Sequence, residues 1–140
     1  MSGKDVVAQA HTGTGKTAAF GLPAINSIKG EGVQILVITP TRELANQVSD
    51  ELYLYGRNSH VRTVTIYGGR SYTRQIDLVR RGAQIVVATP GRLLDMLTKN
   101  MIKDFTPGMV ILDEADEMLD MGFLDDINEI FEHLPKERQT

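Results

Sequence analysis

Five short apolar runs punctuate the chain: Val6-Val7-Ala8, Ile35-Leu36-Val37-Ile38, the stretch 61–66, Ile85-Val86-Val87-Ala88 and the stretch 109–112. They are β-branched and nearly continuous, whereas a strand with one wet face would alternate apolar with polar residues. Continuous runs of this length suit strands covered on both faces. Between them the spacing becomes helical. Leu44, Val48, Leu52 and Tyr55 span residues 41–56, Ile76 and Val79 mark a shorter helix, and Leu93, Leu94 and Leu97 mark another. Ile127, Ile130, Phe131 and Leu134 line one face of a last helix after Gly122, and Met118 and Met121 read as core. Residues 16–28 also read as a helix, but Pro23 lacks an N–H and predicts a kink or an early end there. Strands alternating with helices mean βαβ units. The expected fold is α/β and three-layered, a mostly parallel sheet with helices on both faces.

A parallel sheet sends all its strand C-termini to one edge, where ligands bind. Every unusual segment of this chain follows a strand: residues 10–17, 39–42, 68–70, 89–92 and 113–116. Five polar or glycine-rich loops are therefore expected along one edge.

The first of these loops reads Ala10-His11-Thr12-Gly13-Thr14-Gly15-Lys16-Thr17. A glycine-rich turn that opens a helix presents free backbone N–H groups to a polyphosphate. Lys16 then reaches the outer phosphates, and the Thr17 hydroxyl can ligate magnesium. Ala10 stands where the general pattern has its first glycine. The last loop reads Asp113-Glu114-Ala115-Asp116 directly after Met109-Val110-Ile111-Leu112. Asp113 at the end of a buried strand completes a metal site, and Glu114 beside it can act on water. One loop holds a nucleotide; the other holds the metal and supplies a base.

Two further loops echo each other. Residues 34–44 read QILVITPTREL and residues 84–94 read QIVVATPGRLL. In both, a buried strand runs into a threonine, a proline and, two residues on, an arginine. Thr39 and Thr89 are expected to cap the following helices, with Pro40 and Pro90 at the first helical position, where no N–H is needed. Helix N-termini that include Thr41 or Gly91 and carry Arg42 or Arg92 make good contacts for successive phosphates of a nucleic-acid backbone. Either motif alone would pass for simple capping. Gly68-Gly69 permits a tight turn or close backbone approach, and Arg70 adds positive charge. His11, His60 and His133 are too scattered for a metal site, and Tyr53, Tyr55, Tyr67 and Tyr72 are assigned to packing.

Charge changes the picture in one respect. The net charge of −3 hides an asymmetry: residues 1–112 carry 13 Lys/Arg against 8 Asp/Glu, and residues 113–140 carry 2 against 10. A basic patch on one face therefore remains possible, and the acidic tail reads as a solvated helix face. With zero cysteines there is neither a disulfide framework nor a thiolate metal site. No apolar run approaches a membrane span, and the N-terminus lacks a secretory pattern, so a cytoplasmic protein is expected.

Taken together, AHTGTGKT at 10–17, PTRELA at 40–45, the glycine doublet at 68–69, TPGR at 89–92 and DEAD at 113–116 resemble the first RecA-like domain of DEAD-box RNA helicases, bacterial members in flavour. The resemblance covers essentially all 140 residues, and Ala10 is the usual residue of that family. It implies ATP and magnesium as cofactors and local unwinding or remodelling of RNA duplexes. By resemblance, the loop from Ala10 to Thr17 holds the triphosphate, Asp113 with Thr17 positions magnesium, and Glu114 activates water. Asp116 would couple the nucleotide site to the rest of the machine, and the loops at Pro40, Gly68 and Thr89 would grip RNA backbone without regard to sequence. The family's adenine-reading glutamine motif, its Ser-Ala-Thr strand and its second RecA-like domain are not among these residues, so the chain reads as a partial domain. A binding module without turnover, or a DNA helicase or translocase core, are the competing readings.

Overall fold

Four of the apolar runs form strands in the computed structural model, which describes residues 16–140 and, in the first helix, side chains from Thr17 onward. The expected strand Val6-Val7-Ala8 and the loop residues Ala10 to Gly15 lie outside the described residues. The strands are β1 (Ile35–Ile38), β2 (Thr63–Ile66), β3 (Ile85–Ala88) and β4 (Met109–Leu112), all parallel, in the order β2-β3-β1-β4. Ile35 stands opposite Ile85 on one side and Met109 on the other. Every residue of the two central strands is buried, while Thr63 and Thr65 of β2 are half-buried. β2 thus alternates where β1 and β3 are continuous, its outer face less well covered, and it starts two residues later than its apolar run.

Because successive strand side chains point to opposite faces, the sheet carries two cores. On one face Leu36, Ile38, Val86, Ala88 and Val110 meet α4 (Pro90–Thr98) and α6 (Leu124–Glu132), through Leu93, Met96, Ile127 and Ile130. On the other face Ile35, Val37, Ile85 and Val87 meet α1 (Lys16–Asn26) and α2 (Arg42–Gly56), through Ala24, Ile25, Ala45, Val48 and Leu52. Fully burying one such aliphatic side chain is worth about 1.5–3 kcal/mol. This is the three-layer α/β architecture expected from the alternation of periods. Two further helices complete it, α3 (Tyr72–Arg80) and the short α5 (Ala115–Asp120), with a 3-10 turn at Arg57–Ser59.

Helix α1 runs through Pro23 but ends at Asn26, two residues short of the expected Ile28, in keeping with an early end; the Ser27 amide donates back to the Pro23 carbonyl (3.1 Å). A proline inside a helix costs about 3 kcal/mol. The buried residues Ala24 and Ile25 just beyond it offset that cost. Close approach to α2 adds to this, since a Cβ at Gly21 would lie 2.8 Å from Leu52 Cδ2. Met118 is core as expected, but Met121 is 49% exposed. Helix α5 ends at Asp120, and Gly122 (φ +84) turns the chain, so Met121 falls outside the helical repeat.

At the far flank of β4 the chain returns. Gln139 forms a parallel bridge with Met109, its N–H donating to Gly108 (2.7 Å) and its carbonyl accepting from Val110 (2.6 Å). Among the described residues no helix is long and apolar enough to cross a membrane.

Candidate functional site

All four strands are parallel, so the segments after them share one edge, in the spatial order set by the sheet: Tyr67 to Arg70, Thr89 to Arg92, Thr39 to Arg42, then Asp113 to Asp116. The two echoing segments start their helices differently. After β1, Thr39 is buried and its hydroxyl donates to the Thr41 carbonyl (3.3 Å). Thr41, not Thr39, is the cap: its backbone is extended (φ −131, ψ 156) and its Oγ1 accepts from the Leu44 amide (3.2 Å). Pro40 therefore precedes the helix instead of opening it. After β3 the expectation holds in position: Thr89 is the cap residue and Pro90 the first helical residue, although the Thr89 side chain makes no capping bond. The chemistry at the next residue accounts for the difference. Thr41 has a hydroxyl that can cap, and Gly91 has none, so the second helix begins two residues earlier in its motif.

The end of β2 is packed beneath the arginines. Tyr67 is buried, and the guanidinium carbons of Arg42 and Arg70 lie 5.9 and 5.3 Å from its ring centroid. That is within the range at which a cation is held over an aromatic face. Of the doublet, only Gly69 has a backbone that asks for glycine (φ +86). Arg92 reaches the same place from α4. Its Nη1 donates to the Arg70 carbonyl (2.8 Å) and to Gln75 Oε1 (3.1 Å), and its guanidinium sits 3.9 Å from the Tyr72 centroid. Arg42, Gly69, Arg70 and Arg92, named separately from the sequence, are thus one cluster.

Behind it, the Tyr72 hydroxyl donates to Asp95, and Lys99 pairs with the same carboxylate (3.1 Å). The Tyr72 hydrogen bond, then Lys99, hold the Asp95 carboxyl below its ordinary value, and Asp95 in turn raises both Tyr72 and Lys99. Sequence reasoning missed Tyr67, Tyr72, Gln75 and Asp95 as parts of this cluster. One signal was there: Gln75 lies on the stripe Tyr72, Ile76, Val79, a polar residue on the apolar face of its helix.

At the other end of the edge, the Asp113 amide donates to the Ile38 carbonyl (2.9 Å), extending the ladder by one residue, and Asp113 is only 5% exposed. Glu114 is left-handed (φ 60, ψ 49) and caps α5 by position only; its carbonyl accepts from Met118 (3.1 Å). A non-glycine residue in that conformation costs about 1–2 kcal/mol, and such strain is found where function holds it. Asp116 and Glu117 lie in the first turn of α5, where the helix dipole favours anions. Thr17 is buried in the first turn of α1.

Among the described residues no three His, Cys, Asp or Glu side chains form a metal cage.

The DEAD/DEAH box helicase family model matches residues 1–140. The chain belongs to that family. It is 56% identical over 140 residues to the DEAD-box ATP-dependent RNA helicase RhpA of Helicobacter pylori, covering 99% of this chain and 28% of that protein. To the DEAD-box ATP-dependent RNA helicase CshA of Bacillus subtilis it is 50% identical, covering 100% of this chain and 29% of the relative. The chain thus spans under a third of the length of these relatives. Among solved structures, a DEAD box protein from the hyperthermophile Methanococcus jannaschii superimposes with a TM-score of 0.92 at 42% identity, over 97% of this chain and 38% of that one. A hypothetical ATP-dependent RNA helicase from Sulfolobus tokodaii gives 0.85 at 45% identity, over 98% and 40%. One edge of this parallel sheet thus carries a strained acidic turn at one end and an arginine cluster at the other.

Proposed function

We propose that this chain is the nucleotide-binding part of the first RecA-like domain of an ATP-dependent RNA helicase that unwinds or remodels RNA duplexes. In this reading the loop from Ala10 to Thr17 holds the triphosphate, and Thr17 and Asp113 hold magnesium. Glu114 accepts a proton from the attacking water, Lys16 balances charge on the outer phosphates, and Asp116 couples hydrolysis to movement. Pro40, Thr41, Arg42, Gly68, Gly69, Arg70, Thr89, Pro90, Gly91 and Arg92 face the RNA backbone. A second RecA-like domain in the parent protein would close against this edge, and the setting would be the cytoplasm.

The observation that carries the reading is the single cluster formed by Arg42, Arg70 and Arg92 at the strand ends, with the buried Asp113 and strained Glu114 on the same edge. Guanidinium groups beside helix N-termini suit phosphates, which position a nucleic acid without reading its bases. The relatives' names, ATP-dependent RNA helicases, favour RNA over DNA as the substrate. In the parent protein, single-stranded RNA should stimulate ATP hydrolysis and DNA of the same sequence should not. Equal stimulation by both would sink the RNA assignment.

A further inference from the structure

Gln75 is 3% exposed, an amide on the inner side of α3, and both ends of it are used. Its Nε2 donates to the Tyr67 carbonyl (3.0 Å), the last peptide before Gly68, and its Oε1 accepts from Arg92 Nη1 (3.1 Å). The chemistry of the partners dictates this orientation, because a carbonyl only accepts and a guanidinium only donates. The same Arg92 nitrogen also donates to the Arg70 carbonyl on the far side of the glycine pair (2.8 Å). The Gly68-Gly69 segment is therefore tied at its entrance by Gln75 and at its exit by Arg92, and Gln75 joins the two ties.

We propose that Gln75 is a positioning residue for phosphate binding, holding Arg92 and the Gly68-Gly69 segment in one fixed arrangement. The Tyr72 ring sets the plane of the guanidinium from one side. Nη1 is spent on the two inward bonds. Among the described residues nothing accepts from Nε or Nη2, which leaves that edge of the fork for an outside phosphate. An apolar residue at 75 would fill the space but leave the Tyr67 carbonyl without this donor and Arg92 held by the Arg70 carbonyl and the Tyr72 ring alone, one anchor fewer. The inference rests on the RNA-facing reading of this edge, and the test separates the two.

The test measures RNA affinity and its salt dependence in the full-length parent protein for Gln75→Met, Arg92→Ala and the double variant, with ATP affinity as the check on folding. Gln75→Met keeps the volume and removes both hydrogen bonds. It should weaken RNA binding roughly tenfold, the worth of about one positioned charge-assisted bond, and leave ATP affinity unchanged. The double variant should bind no more weakly than Arg92→Ala alone, because Gln75 acts through Arg92. If Arg92→Ala leaves RNA affinity intact, the RNA-facing reading fails and this inference with it. If Arg92→Ala weakens binding but Gln75→Met does not, or the two losses add, the reading stands and the positioning role is overturned. Should Gln75→Met not fold, Arg92→Lys tests the same point from the other side. A point ammonium keeps the charge but cannot bridge Gln75, Arg70 and a phosphate in a fixed fork. It should lose nearly as much affinity as Arg92→Ala, and retention of most of the affinity would overturn the proposal.

Discussion

The Tyr72 hydroxyl donates to Asp95 across 23 residues of sequence, tying the first turn of α3 to the middle of α4, and the guanidinium of Arg92 covers the same tyrosine ring. The two helices that follow β2 and β3 are thereby held together at the edge where the arginines gather. Charge holds this link, so pH should act on it.

Asp95 is depressed below its ordinary value of 3.8, so its contribution to stability exists above that value and is lost as pH falls through the folded one. Tyr72 and Lys99 are raised above 10.0 and 10.5, so their contributions exist below those values and disappear as pH rises through the folded ones. Asp95→Asn removes the partner of both. The melting-temperature gap between wild type and Asp95→Asn should be widest near neutrality and shrink toward both acid and alkali. A gap independent of pH would show that the carboxylate charge is not what matters.

Glu114 should be a site where stability and activity part company. Glu114→Gly and Glu114→Ala both delete the side chain, so their difference isolates the backbone. At φ 60 glycine should be the more stable by about 1 kcal/mol. Denaturant unfolding of the two variants checks this, and alanine equal to glycine would mean that the turn relaxes at no cost.

In the parent protein, Glu114→Gln should bind ATP normally and hydrolyse it about 10²–10⁴ more slowly, the usual worth of general-base assistance. Single-turnover kinetics is the measurement. A rate within a few-fold of wild type would remove Glu114 from the proton-accepting role.

The two echoing helix starts should differ in their response to the same change. Thr41→Ala loses a capping bond and should cost about 1 kcal/mol. Thr89→Ala loses no such bond and should cost distinctly less. Equal losses in chemical denaturation would contradict the asymmetry between them.

Arg42→Ala in the parent protein should weaken binding alike for all RNA sequences and lower the salt slope by roughly one contact. Titrations at several salt concentrations decide it. A change of sequence preference at constant slope would mean that Arg42 reads bases.

Much of this was written locally. The continuous runs Ile35 to Ile38 and Ile85 to Ala88 could only be strands covered twice, because an exposed face would leave half their residues in water. With helical spacing between them, a parallel sheet and a shared loop edge followed, and the loops announced their own chemistry through residue types. What spacing could not carry is any outcome decided between segments. Thr39 and Thr89 sit in the same local pattern, yet only the hydroxyl at position 41 and its absence at 91 separate the two helix starts. Pro23 is accommodated inside a helix because packing beyond it outweighs its local cost, which no propensity records. Tyr55, Tyr67 and Tyr72 pack as expected, whereas Tyr53 is 61% exposed, and what Tyr67 and Tyr72 pack beneath is a set of arginines from three different loops. Arg92, Arg70, Gln75 and Tyr67 become neighbours only because β2 and β3 pair in parallel and bring their ends together. Sequence determined which groups would stand at the edge, since period and residue type are local properties. Tertiary structure decided which of them touch, since hydrogen bonds and ring contacts depend on distances that the chain alone does not set.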